Sequence, residues 1–349
     1  MATFDPTTYT YADGARQFLD YQPTLGGNAV FLALFAILIP IALWLGFRYS
    51  SVGFGTAIAT GLALEVVGYI GRLLLHSSPN NRSAFIVFLV GTILGPTCIC
   101  AAIFLTMPRI VAVYGEEYRS WRPNWYLYLF AALFGISFVL ELAGSLVSTI
   151  HDDNDQIDTG IQVAVAGLAI QLATLIIFIV HGVCFAIALR TRQHGLDPKF
   201  AAIYNSKLYS ITIALFVISI IAIIIRTAYR LVDVAEGYAS SIAQNEELFL
   251  VLDGFLMLLA IILLLIGFPA RALGQAWVQT SPRRLSQKPP RPIRPAPPSL
   301  LPSARPSPTF NRMSMKSSVS NSSPRKASYP PPPPPPPAQR GMVDSDALW

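Results

Sequence analysis

The side chains able to do chemistry stand almost alone inside long apolar runs. Within residues 52–75, Gly61, Glu65, Gly68 and Arg72 recur at spacings of 4, 3 and 4, one stripe on one helical face. Glu65 falls near the middle of that run. Arg72 lies about 10 Å further along at 1.5 Å per residue, too far for direct contact. Tyr69, one turn from Glu65, is placed to donate its hydroxyl to that carboxylate. Glu141 sits deep in a second apolar run, where a carboxylate needs a cation, hydrogen-bond donors or a proton. Arg226, Arg230 and Asp233 share a face at spacings of 4 and 3, so Arg230 can pair with Asp233. That leaves Arg226 seeking a carboxylate such as Glu246 or Asp253, or the head group of a ligand. Two readings stay open for these groups: a polar site facing a cavity, or clamps that lock helices together where glycines allow close approach.

Other chemistries find no residues to carry them. The four histidines, at 76, 151, 181 and 194, form no HxxxH or HxxE grouping, so a metal site has no support and His181 reads as a core residue. Cys98, Cys100 and Cys184 read as small apolar residues, their odd number arguing against a disulfide framework. No GxxxxGK loop is present, so the chain is not expected to drive itself with ATP. No cofactor is expected, and the poverty in histidine speaks against an intramembrane hydrolase, so the chain is not expected to be an enzyme. The last apolar run has no Lys for a retinal linkage.

The elements that must position these groups follow from composition. Of 349 residues 53% are hydrophobic and 13% charged, against roughly 25% charged in a soluble domain. A helix needs about 20 apolar residues to cross the hydrocarbon layer. Seven stretches qualify, at 28–47, 52–75, 84–106, 125–150, 160–189, 208–232 and 248–268. The fold expected is an all-α membrane protein, a bundle of seven transmembrane helices occupying residues 28–268. Loop charge orients it. Five basic residues lie on the side of residues 1–27, against eight on the other side before the tail and 20 with it. The positive-inside rule therefore places the N-terminus outside and the C-terminus in the cytosol. Loop 151–159, with Asp152, Asp153, Asp155 and Asp158 and no Lys or Arg, fits the outer face. Residues 1–27 read as an extracellular segment without a cleaved signal peptide. Asn81-Arg82-Ser83 is a glycosylation sequon on that side, read as too close to the membrane to be used.

Residues 269–349 hold 20 of the 28 prolines and 12 of the 25 Lys and Arg, against two acidic residues. The net charge of +6 thus belongs to a basic Pro/Ser-rich tail, expected to be disordered and cytosolic, and gives no evidence for nucleic-acid binding. Pro330 to Pro337 and several PxxP spacings suit polyproline II docking on an SH3- or WW-type partner, or an unbound spacer. Ser286 and Ser328 follow paired basic residues and look like basophilic kinase sites, where phosphate would weaken attraction to anionic lipid.

Taken in order, the polar residues resemble the fungal seven-span family of lipid-translocating exporters, which includes 7-aminocholesterol-resistance and sphingoid long-chain-base-resistance proteins. The matching pieces begin with Tyr21-Gln22-Pro23 and Asn28, then Glu65-Val66-Val67-Gly68-Tyr69-Ile70-Gly71-Arg72, then Ala101-Ala102 and Arg109. They continue with Ser137-Phe138 and Gly144, then Gly160, Gly167-Leu168 and Gln171. Arg226-Thr227-Ala228-Tyr229-Arg230, Asp233, Gly237, Glu246 and Asp253 close the match, which covers about residues 20–268. Three positions depart from the family: Phe134 and Glu141 stand where relatives commonly have Asp and Gln, and Phe104 where they usually have Tyr. The resemblance implies a plasma-membrane protein that protects against amphiphiles by moving sphingoid bases or related lipids between leaflets. Glu65, Glu141 and Asp253 would then neutralise a cationic amine. A receptor or membrane-stress sensor signalling through the proline-rich tail is the alternative.

Overall fold

The computed structural model describes residues 11–12, 15–16, 19, 21–114, 123–191 and 201–280. All belong to the first of two compact units, Met1–Arg291 and Pro292–Trp349. The proline-rich run, Ser286 and Ser328 lie outside these residues.

Seven helices are long and apolar enough to cross a membrane. They are α1 (Leu25–Arg48), α2 (Val52–Ser77), α3 (Arg82–Phe104), α4 (Pro123–Ile150), α5 (Asn154–Thr191), α6 (Lys207–Ala235) and the compound span α7 (Glu246–Leu273). Each packs on the next, and α7 returns to contact both α6 and α1, so the bundle closes. α3 is the most deeply buried span. The turn joining α1 to α2 is three residues long and contains Ser50 at a left-handed φ of 52°.

Polarity is inverted relative to a soluble protein. Ile37, Trp44, Phe47, Val139 and Ile177 are all more than half exposed, while Arg72, Arg226 and Arg230 are sealed inside. Bare apolar sides over a charged interior are stable only where hydrocarbon replaces water as the outer solvent. The protein is therefore an integral membrane protein.

Small residues set the closest contacts. A methyl group on Gly91 of α3 would lie 2.6 Å from the Gly68 Cα of α2, so the two backbones touch. Gly144 and Gly160 do the same between α4 and α5, facing Ala164 and Ser148. Lipid tails are as apolar as the side chains, so this van der Waals contact, rather than exclusion of water, holds such helices together.

The elements depart from expectation in four places. α5 begins at Asn154, six residues before the expected span, so the loop expected at 151–159 shrinks to 151–153. Asp155, in its first turn, suits the positive end of the helix dipole and extends the helix beyond the apolar run. α3 breaks after Phe104 and resumes as a short helix, Met107–Tyr114. α7 opens with π-helical winding over Phe249–Phe255 before regular α-helix at Leu256–Ile266. Helical turns at Pro269–Leu273 and Gln275–Gln279 continue past residue 268, and bury Ala270, Leu273, Ala276 and Trp277. The first eleven residues assigned to the tail thus fold against the bundle, where the Arg109 guanidinium stacks 3.7 Å from the Trp277 ring centre.

Candidate functional site

The interior polar groups form a ladder beginning at the end of the bundle where α1, α3, α5 and α7 start. At that end the Arg72 guanidinium, from α2, donates to Asn28 Oδ1 (2.8 Å) and the Tyr21 hydroxyl (3.0 Å), and pairs with Glu246 (3.2 Å). It also lies over the Phe249 ring, 4.0 Å from its centre. Glu246 accepts from the Thr24 amide and from Asn28 Nδ2, which ties the starts of α1 and α7 to the end of α2. The segment before α1 is fastened to the same place, Gln22 donating to the His76 carbonyl (2.8 Å). Burial pushes the Tyr21 hydroxyl above its ordinary value while Arg72 acts the other way, so it remains a neutral acceptor for the guanidinium.

One step deeper, a proline organises the contact between α3 and α6. Pro96 has no N–H, so the Thr92 carbonyl four residues earlier loses its helical partner. Arg226 fills the vacancy, donating from Nη2 to the Thr92 oxygen. The same nitrogen stands 2.7 Å from Asp253 Oδ1 as an ion pair, off the line of a hydrogen bond. Arg230 donates to the Thr92 hydroxyl (2.7 Å) and to Asp233 (2.9 Å).

Glu65 and Glu141 flank α3 at one depth. Glu65 leans on Gly95, where an added methyl would come within 2.9 Å of its Oε1. Glu141 accepts from the Thr97 hydroxyl (2.6 Å) and from Ser137 (2.8 Å). Positions 95 and 97 are about 200° apart around a helix, so the two carboxylates approach α3 from opposite sides, one carried by α2 and one by α4. Gln171 of α5 completes the second group, donating to Cys100 Sγ at 3.6 Å. Below it Phe104 and Phe134, two of the family departures, meet edge to face at 6.0 Å, with Phe130 and Phe178 beside them.

Counting charges is decisive. Among the described residues, three guanidiniums and four carboxylates are buried, and each guanidinium is paired once: Arg72 with the partly buried Glu246, Arg226 with Asp253, Arg230 with Asp233. Among the described residues no cation lies in pairing distance of Glu65, 1% exposed, or Glu141, 0% exposed. Glu65 Oε1 lacks any hydrogen-bond partner. Arg226, Arg230 and Asp253 are the charges that act on Glu65.

The expected Arg230–Asp233 pair is thus present, and of the two carboxylates named for Arg226, beside a ligand head group, it takes Asp253. Arg72 instead takes Glu246. The expected hydrogen bond from Tyr69 to Glu65 does not form, because the Tyr69 ring lies between Phe31, Phe35 and Phe249 with its hydroxyl against Gly254. Thr92 and Thr97 went unforeseen. A threonine in a helix ordinarily bonds its own preceding turn, and only Pro96, four residues after Thr92, marked that carbonyl as free. Asn81 caps α3, its side-chain oxygen accepting from the Ala84 amide at 3.2 Å.

The family model described as RTA1 like protein matches residues 58–276, from α2 through the turns after α7. The chain belongs to the RTA1-like family. Among its relatives in Saccharomyces cerevisiae, a sphingoid long-chain base transporter is 25% identical over 281 residues, covering 72% of each chain. Protoporphyrin uptake protein 1 is 28% identical over 218 residues, covering 60% of this RTA1-like chain and 66% of its own. Protein RTM1 is 28% identical over 211 residues, covering 59% and 64%. No solved structure matches the chain.

Proposed function

We propose that this RTA1-like protein is a membrane transporter that carries single-chain cationic amphiphiles, sphingoid bases first among them, between the leaflets of the plasma membrane and so confers resistance to them. The observation that carries this reading is that two of the four buried carboxylates among the described residues, Glu65 and Glu141, pair with no guanidinium. An ionised carboxylate without a counter-charge is costly at this depth, about 2.5–3.5 kcal/mol even on lenient insertion scales. A protonated amine, or a proton alternating with it, removes that cost. The site would therefore bind the amine without covalent chemistry, and exchange of amine for proton would couple transport to a gradient. The names of the relatives, a sphingoid long-chain base transporter and a porphyrin uptake protein, support the transporter class.

We place the N-terminus outside and the tail in the cytosol on the balance of basic residues. The test is leaflet exchange of a fluorescent sphingoid base in vesicles holding only the purified protein, read by extraction to external albumin with and without a proton gradient. Exchange faster than in empty vesicles is expected, with loss of gradient dependence in Glu65→Gln and Glu141→Gln. Folded protein that accelerates nothing would defeat the proposal and favour a sensor.

A further inference from the structure

The other half of the bundle contains a cleft of about 350 Å³ between the short helix Met107–Tyr114, α5 and α6, to which none of the polar ladder contributes. Its wall is hydrocarbon and aromatic, with Tyr114 and Tyr209 near one end, their ring centres 6.3 Å apart. Phe178 and Ile220 form the end nearer the carboxylates. Phe178 also belongs to the aromatic group beneath Glu141, so the cleft begins where that group ends. Along α5, Phe178 follows Gln171 by seven residues, about 10 Å, and along α6, Ile220 precedes Arg226 by six, about 9 Å. From Phe178 to Leu189 the cleft follows α5 for about 16 Å. Val183, Val217 and Ile221, all exposed to the lipid side, line its mouth, so a chain can enter sideways from the bilayer.

We infer that this cleft receives the alkyl tail of the single-chain amphiphile whose amine the carboxylates hold. The inference rests on the transport reading and deepens it. A head-group site alone would take any small amine. A long apolar slot on α5 and α6, starting about two turns along α5 from Gln171, which meets Thr97 beside Glu141, selects amines that bear one extended chain. A diacyl lipid brings a second chain and a bulkier head, and is expected to be discriminated against.

Gly182 supplies the test. It lines the cleft, and a Cβ added there meets nothing within 4 Å, so Gly182→Phe starts from open space and brings a ring into the slot. Gly135 on α4 is likewise open and lies outside the cleft, so Gly135→Phe is the matched control. Full-length protein in phosphatidylcholine vesicles would be photolabelled with octadecylamine carrying a diazirine near its chain end, and the labelled peptides identified by mass spectrometry. Labelling is expected between Phe178 and Leu189 in the unmodified protein and in Gly135→Phe. In Gly182→Phe the apparent affinity for octadecylamine should fall about tenfold, the equivalent of about two methylenes no longer buried. Binding of hexylamine should be unchanged.

Label scattered over lipid-facing residues, or equal labelling by a diazirine phosphatidylcholine, would overturn the cleft assignment. So would octadecylamine affinity unchanged by Gly182→Phe. Any of these three results accompanied by normal leaflet exchange leaves the transport reading intact. Absent exchange with cleft labelling intact would defeat that reading instead.

Discussion

The strongest constraints in this bundle are single side chains doing two jobs. Arg226 joins α6 to the free carbonyl of α3 and to Asp253 of α7. Arg226→Ala should therefore leave Asp253 buried and uncompensated, a loss of about 3–5 kcal/mol, read as a lower unfolding temperature in detergent. Adding Asp253→Ala should recover part of it, because the orphaned charge is then gone. Of these contacts, the pairing of Arg230 with Asp233 could be read from a three-residue spacing, since both partners are on one helix. The choice of Asp253 for Arg226, and of Glu246 for Arg72, could not, because spacing within one helix says nothing about which helices touch. Tyr69 shows the reverse error: its spacing from Glu65 was right, but three aromatic rings capture it and turn its hydroxyl toward Gly254.

Among the elements, α3 has the central place. Its Pro96 opens a backbone acceptor that an arginine from α6 occupies, so a residue usually held to weaken helices here makes a tertiary contact. Pro96→Ala should return an N–H to compete for the Thr92 carbonyl. The expected result is a straighter, locally more stable α3 whose hold on Arg226 is weaker, seen as faster hydrogen exchange in the middle of α6. The glycine contact with α2 is less forgiving. Gly91→Leu should separate the two helices and lower the unfolding temperature more than Gly26→Leu, a position with nothing within 4 Å. Hydropathy was enough to count the spans, since a bilayer-crossing length of apolar residues has few other uses. It misplaced their ends. The first turn of α5 is polar and stabilised by the helix dipole, and the turns after residue 268 are anchored by scattered residues such as Trp277 rather than by a continuous apolar run.

For the whole molecule the charge asymmetry of the loops makes the orientation testable. In a cysteine-free background, a cysteine replacing Ser78 should react with an impermeant maleimide added outside cells. One replacing Ser50 should react only after permeabilisation. Reversed labelling would place the Arg72 end of the polar ladder in the cytosol. The close seam between α2 and α3 bears also on how the chain enters the membrane. α2 is the least apolar of the seven spans and carries both Glu65 and Arg72, a combination that a lone helix leaving the translocon carries at a considerable penalty. Its glycine-matched neighbour is the very next segment to be synthesised, so the two are suited to partition into lipid as a hairpin. In a cysteine-free nascent chain ending at Ser77, a cysteine replacing the outward-facing Val67 should react with a water-soluble maleimide, and in one ending at Tyr114 it should be shielded.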